Sequence, residues 1–417
     1  MSMFKYFSVN ISLVVVLLLG FVNLISYSSS MTGGVNVMFG NLFVVDSVSV
    51  YLMILVLLLG IYSQLFFYNF MNLLVRFLLF VSLMCSFLCF CVNHSILFWL
   101  FYELSMLPLL YLVFSESPYS ERFLAGWYFG CYLLVTSLPL LLILLYVSVV
   151  ESSFFFSSWR GECYSIWIFI IICFVFFTKV PLFPFHTWLP IVHAEATSIV
   201  SIFLSGYIMK LGILGIYRCS SYLLNYNFVL YLFFCCCVGV WFLIVANAEL
   251  DGKRWLAFLS LAHIVVPFLA FFVSEWDSIN LLFFYCLGHG LSAGVVFGLL
   301  WYFYDLTNSR NWILLKSGVS GSMVLIILIV SLLSLCSFPP TIQFFCEVGL
   351  VKLSGEVVIY ILFWCFYLFL SGLIPLVLCG HLLLRVESVE MCDNSVFSYF
   401  NFLCILCTWC YVGFMFL

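Results

Sequence analysis

Apolar runs of about twenty residues, separated by short loops, leave this chain few ways to fold. A run of roughly 18 or more apolar residues can cross a bilayer as a helix. Windows of about 20 residues give about 13 such spans. They fall roughly at 7–26, 42–64, 73–92, 95–114, 124–149, 164–180, 195–217, 227–247, 255–273, 278–304, 317–352, 357–382 and 396–417. The run at 317–352 is too long for one crossing. Phe338-Pro339-Pro340-Thr341 interrupts it, so it reads as one broken helix. None of the runs has the alternating polar face of a barrel strand. The expected fold class is an all-α polytopic membrane protein with almost no extramembrane domain. Composition agrees: 66% of the 417 residues are hydrophobic and 7% charged, with a mean hydropathy of +1.29.

Several function classes drop out. The net charge is only −4 and no basic tract exists, so nucleic acid is not an expected partner. Most of the nineteen cysteines sit inside apolar runs, as in Cys85, Cys89, Cys91 and Cys235-Cys236-Cys237, where cysteine acts as a small hydrophobe. No pair of CxxC motifs has zinc spacing, so no metal or iron–sulfur site is expected. A GxGxxG turn and a P-loop are both missing, which removes a nucleotide site. HTWLPIVHAE lacks the HExxH order, and His193 and Glu195, two apart, do not share a helical face. Gly206, Gly212 and Gly215 are expected to let helices approach closely. The first run, Phe7 to Tyr27, reads as a retained span rather than a removed signal peptide, and no arginine-rich transit peptide precedes it.

Loop charges suggest an orientation. One side collects Lys5, Arg76, Arg122, Lys253, Arg254, Arg310, Lys316 and Arg385, and the other Arg160, Arg218 and Lys352. The positive-inside rule puts the N-terminus on the richer side, and an odd span count puts the C-terminus opposite.

The candidate functional residues are the few ionisable groups inside the spans. Such a group costs about 2.5 to 3.5 kcal/mol on insertion scales, which makes it a functional candidate by default. Glu103 lies within the fourth span, as a proton-carrying carboxylate or as the partner of a lysine; a structural ion pair between helices is the competing reading. Lys179 closes a run just before Pro181, Pro184 and Pro190, and Lys210 lies between Met209 and Leu211. A lysine that gains and loses a carboxylate partner can switch between holding and releasing a proton. For Lys179, snorkelling to the interface competes with that role. His263 and His289 sit in adjacent spans, where an imidazole can accept and donate in turn. Each could instead be an ordinary core histidine. Glu347 follows the Pro339-Pro340 break by about two turns, as a relay end or as a surface charge. The two proline breaks beside ionisable residues, one in each half, suggest inverted repeats with a site at the bilayer midplane.

These residues lie in blocks that resemble the subunit 4 family of mitochondrial respiratory complex I, the NADH:ubiquinone oxidoreductase. The blocks are YELSMLP, SERFLAGWYF, TKVPLFPFHTWLPIVHAEA, IMKLGILGIYR, DGKRWLAFLSLAHI, LGHGLSAGVVFG and FPPTIQFFCE, in order over roughly 45–350. The resemblance implies 14 transmembrane helices with two inverted five-helix repeats, each with a broken helix. It places N-terminal helices at 1–94, the repeats at 95–220 and 221–355, and C-terminal helices at 356–417. On it, the chain begins one span late, with 13 helices. It implies Glu103 as the partner of Lys179, with Lys210, His263 and His289 as relay residues and Glu347 as the terminal proton site. It also implies an enzyme subunit in the mitochondrial inner membrane that couples NADH oxidation to proton pumping. This chain would bind no cofactor; NADH, FMN, iron–sulfur clusters and ubiquinone would belong to other subunits. Partners would be the other membrane-arm subunits and the lipid bilayer. A free-standing cation/proton antiporter shares the ancestry, and a purely structural arm segment is a third reading. The chain departs from the family at Ile191, usually Lys, and Thr197, usually Pro.

Overall fold

A two-stranded antiparallel ribbon, β1 (Asn36–Met38) and β2 (Phe43–Val45), pairs Asn36 with Val45 and Met38 with Phe43. Asp46 then starts the first described helix, α1 (Ser47–Phe66). Its carboxylate accepts from the Ser49 amide while the Ser49 hydroxyl accepts from the Asp46 amide, a reciprocal cap that satisfies two orphan donors. The computed structural model describes residues 36–38, 41–68, 70–159, 166–220, 229–273, 276–316, 322–355, 357–384 and 394–415. The expected span at 7–26 and the charges Lys5, Arg160 and Arg385 lie outside the described residues.

Three long helices follow, α2 (Leu73–Cys91), α3 (Ser95–Glu116) and α4 (Arg122–Val150). The first broken stretch comes next. α5 (Ile166–Lys179) stops at the residue before Val180-Pro181, and the chain turns until α6 (Trp188–Glu195). A second break at Ala196-Thr197 leads to α7 (Ser198–Phe203), a π-turn at Leu204–Ile208 and α8 (Met209–Ser220). Thr197, at the second break, holds φ −60° and extended ψ 151°.

α9 (Val229–Ala248) is uninterrupted, and the expected span at 255–273 is one apolar run, Gly252–Phe271, with a kink inside it. It divides into α10 (Gly252–His263) and α11 (Val265–Val273). Pro267 explains the division. It has no N–H to give to the carbonyl four residues back, which belongs to His263. α12 (Trp276–Thr307) and the short α13 (Trp312–Leu315) precede the second proline break. There α14 (Ser322–Leu335) and α15 (Ile342–Ser354) flank Pro339-Pro340, the break expected within 317–352. α16 (Val358–Leu383) and α17 (Asn394–Val412) end the described chain.

Among the described residues, ten helical runs are long and apolar enough to cross a membrane, with shorter apolar helices at Ile170–Lys179 and Met323–Leu335. This is a multi-pass, helical membrane protein. Burial follows from composition. α1 is apolar all round and buries Leu52, Leu55, Val56 and Leu59 completely. α4 and α16 leave Trp127, Val135, Leu138, Leu142, Phe366, Phe369 and Val377 exposed. Contiguous outward apolar faces of that kind are unfavourable in water and suit a hydrocarbon environment.

The chain divides into two units. One comprises the residues up to Val180 with Tyr207–Leu224, the other Pro181–Gly206 with the residues from Asn225 onward. In the first unit, α5 and α8 pack closely. A Cβ on Gly212 would stand 2.5 Å from Val180 Cγ2, and one on Gly215 would collide with the Phe176 ring. Arg218 holds the end of α8 to the start of α1 through two bonds to Asp46, of 2.8 and 3.0 Å.

Candidate functional site

Within the first unit, Glu103 on α3 and Lys179 at the end of α5 form an ion pair, with 3.5 Å between Nζ and Oε1. Lys179 is 3% exposed, so it does not snorkel. Its ammonium also donates to the Leu133 carbonyl of α4 at 3.3 Å and stands 5.1 Å from the Tyr102 ring centroid. The α5 C-terminus favours a cation there, because the last carbonyls of a helix carry partial negative charge. At an effective dielectric of ~20, two unit charges at this separation attract by about 5 kcal/mol. The two buried charges are therefore strongly coupled to each other.

Lys210 is the second residue of α8 and is 1% exposed. It follows the π-turn, a widened helical turn that often marks functional positions. Two residues on, Gly212 lets α8 approach Lys179, whose β-carbon lies 3.5 Å from where a Gly212 Cβ would be.

The second unit holds the other three expected residues. His263 ends α10 and His289 lies in α12, both buried, with ring centroids 5.1 Å apart and edge to face. The side-chain amide nitrogen of Gln343 on α15 stands 3.4 Å from His289 Nδ1. Glu347, also on α15, is buried rather than at the surface. Its Oε1 accepts from the Ser337 hydroxyl at 2.9 Å and the Tyr367 phenol at 3.3 Å. Ser337 holds φ +53° in the gap between α14 and α15. A non-glycine residue in that region carries backbone strain, and such strain collects at functional sites.

Sequence reading missed several residues of these clusters. Tyr285 meets Tyr367 at 3.2 Å between hydroxyls; its position one helical turn before His289 was a usable signal. Nothing in the sequence set Tyr367 apart from the other 23 tyrosines. Lys253, counted above among the loop charges, is 3% exposed and donates to the Ala196 carbonyl at the end of α6, at 2.8 Å. Arg310 likewise turns inward, 3.4 Å from both Glu195 and Asp251, and donates to the Ala194 carbonyl. Arg76 is buried and donates to the Tyr68 and Met71 carbonyls. Internal ties thus account for three of the charges read as exposed loops. Of the histidines near the first break, His193 stacks on Phe297 and His186 faces Phe242. Among the described residues, no group of three or more His, Cys, Asp and Glu could hold a metal ion.

The chain is similar to known proteins over most of its length. Residues 92–373 match the family described as NADH:quinone oxidoreductase/Mrp antiporter, TM. NADH-ubiquinone oxidoreductase chain 4 of Artemia franciscana is 30% identical over 301 residues, covering 68% of this chain and 76% of that one. The protein of the same name from Rhipicephalus sanguineus is 27% identical over 260 residues, 60% of this chain; the chain spans only 58% of that relative's length. In fold, it resembles a chain of respiratory complex I from Thermus thermophilus, with a TM-score of 0.80 at 18% identity over 94% of this chain and 88% of that one. It resembles a chain of the Mrp complex from Dietzia sp. with a TM-score of 0.79 at 17% identity, over 91% and 75%. By the extent of the family match and the likeness to the Artemia protein, the chain belongs to the NADH:quinone oxidoreductase/Mrp antiporter transmembrane family.

Proposed function

We propose that this chain is a proton-translocating membrane-arm subunit of a respiratory NADH:ubiquinone oxidoreductase in the mitochondrial inner membrane. The names of its relatives support the assembly. One observation carries the mechanism: a buried lysine, Lys179, paired at 3.5 Å with a buried carboxylate, Glu103. Glu103 modulates Lys179; Lys210, His263 and His289 carry protons towards Glu347. The two repeats correspond to 95–220 and 221–355, between N-terminal helices at 1–94 and C-terminal helices at 356–417. This chain binds no cofactor of its own. NADH, FMN, the iron–sulfur clusters and ubiquinone belong to other subunits, and neighbouring membrane-arm subunits are its partners.

The magnitudes are compatible. Moving one charge against 100 mV costs about 2.3 kcal/mol. Separating an ion pair of this geometry changes the lysine's electrostatic energy by about 5 kcal/mol at an effective dielectric of ~20. Lys179→Met should lower NADH-driven proton uptake into inverted membrane vesicles at least about tenfold while the complex still assembles. Uptake at the wild-type rate would remove the scheme.

A free-standing cation/proton antiporter subunit is the second reading, favoured by the family description and the likeness to the Mrp complex. Native-gel separation of mildly solubilised membranes, stained for NADH oxidation, distinguishes the two. The respiratory reading expects this chain in the large NADH-oxidising band, and the antiporter reading in a smaller assembly without that activity.

A further inference from the structure

We propose that the phenol hydroxyls of Tyr285 and Tyr367 form the proton-carrying link between the His263–His289 pair and Glu347. The inference rests on the proton-translocating reading above and adds two residues to it.

Both phenols are fully buried in the second unit. The chain uses fifty phenylalanines, so a ring that only had to fill volume needed no hydroxyl, and burying one without a bond is costly. A backbone carbonyl is enough to satisfy such a group, as Tyr411 shows by donating to Val330 at 3.0 Å. Tyr285 and Tyr367 are placed differently. Their hydroxyls meet each other at 3.2 Å, and Tyr367 donates onward to Glu347 at 3.3 Å. Their rings also adjoin the histidines. Tyr285 stacks on His289 with centroids 6.3 Å apart, and Tyr367 stands edge to face with His263 at 6.0 Å. Each histidine thus has one phenol against it, and the phenols lead to the carboxylate.

The transfer balances without leaving charge on either phenol. A proton released by an imidazolium of the pair arrives at the Tyr285 oxygen, whose ring adjoins His289. Tyr285 passes its own proton to the Tyr367 oxygen, and Tyr367 passes its own to the Glu347 carboxylate. One imidazolium becomes imidazole, one carboxylate becomes carboxylic acid, and both phenols end as they began.

The test uses the intact NADH-oxidising complex in inverted vesicles, reading protons taken up against NADH oxidised. Tyr285→Phe and Tyr367→Phe should each lower uptake at least about fivefold, with a larger solvent deuterium isotope effect because the proton step becomes limiting. The double variant should lose less than the product of the two single losses, since the hydroxyls act as one chain. Tyr411→Phe should pump as wild type. Wild-type uptake and isotope effect in either single variant, with the complex assembled, would overturn the link. Should Tyr367→Phe fail to assemble, Tyr285→Phe decides alone. The Lys179→Met result separates this inference from the reading beneath it. Normal pumping in Lys179→Met defeats the proton-translocating reading itself. Loss there, with both phenylalanine variants pumping normally, defeats only the phenol link.

Discussion

Glu103 and Lys179 are 76 residues apart in sequence and 3.5 Å apart in space, and each makes the other tolerable. Removing one partner of a buried pair strands the other charge and costs about 3–5 kcal/mol, whereas removing both is often close to neutral. Glu103→Gln and Lys179→Met should therefore each lower the thermal stability of the assembled complex, and the double variant should recover most of that loss. Additive destabilisation, measured by thermal denaturation of the purified complex, would mean that the two charges are satisfied separately. The residue types were legible beforehand, because an ionisable side chain inside an apolar run stands out. The residues alone did not name their partners; the family resemblance implied the pairing of Glu103 with Lys179, and the structure places the two on different helices, 3.5 Å apart. Lys253 shows the same limit from the other side. It sits at the mouth of a span, reads as a surface charge, and is drawn inward by the Ala196 carbonyl.

At the level of helices, the breaks do the positioning. Proline ends α5 and separates α14 from α15. Pro267 kinks the run after His263 without ending it as a single span. The close approach of α5 and α8 depends on Gly215 meeting Phe176 without a side chain. Gly215→Ala should cost about 1–3 kcal/mol through overpacking and lower the amount of chain in the membrane. Adding Phe176→Leu should restore much of that amount, because the colliding ring is gone. Failure of the second substitution to rescue, in quantitative blots of isolated membranes, would show that Gly215 is needed for some other reason.

Across the protein, exposure is uneven in a way that predicts which helices meet lipid. The run Ser198–Cys219 is wholly buried, whereas α4 and α16 are largely outward-facing. A membrane-dissolved photoreactive carbene should label Trp127, Val135, Leu138 and Leu142 of α4 and Phe366 and Phe369 of α16. It should spare Ile202, Phe203 and Leu211, as peptide mass spectrometry would read out. Strong labelling of the second group would contradict the fold. Hydrophobicity and length determined that the chain is a stack of membrane helices, since backbone groups in a bilayer must bond within their own segment. They also determined where most helices begin and end, because proline acts on its own few neighbours. Only the tertiary structure decided which polar groups meet. The facing rings of His263 and His289 and the Tyr285–Tyr367–Glu347 hydrogen bonds join separate helices. No local propensity encodes such contacts; they follow from how the apolar faces pack around the few groups that cannot face lipid.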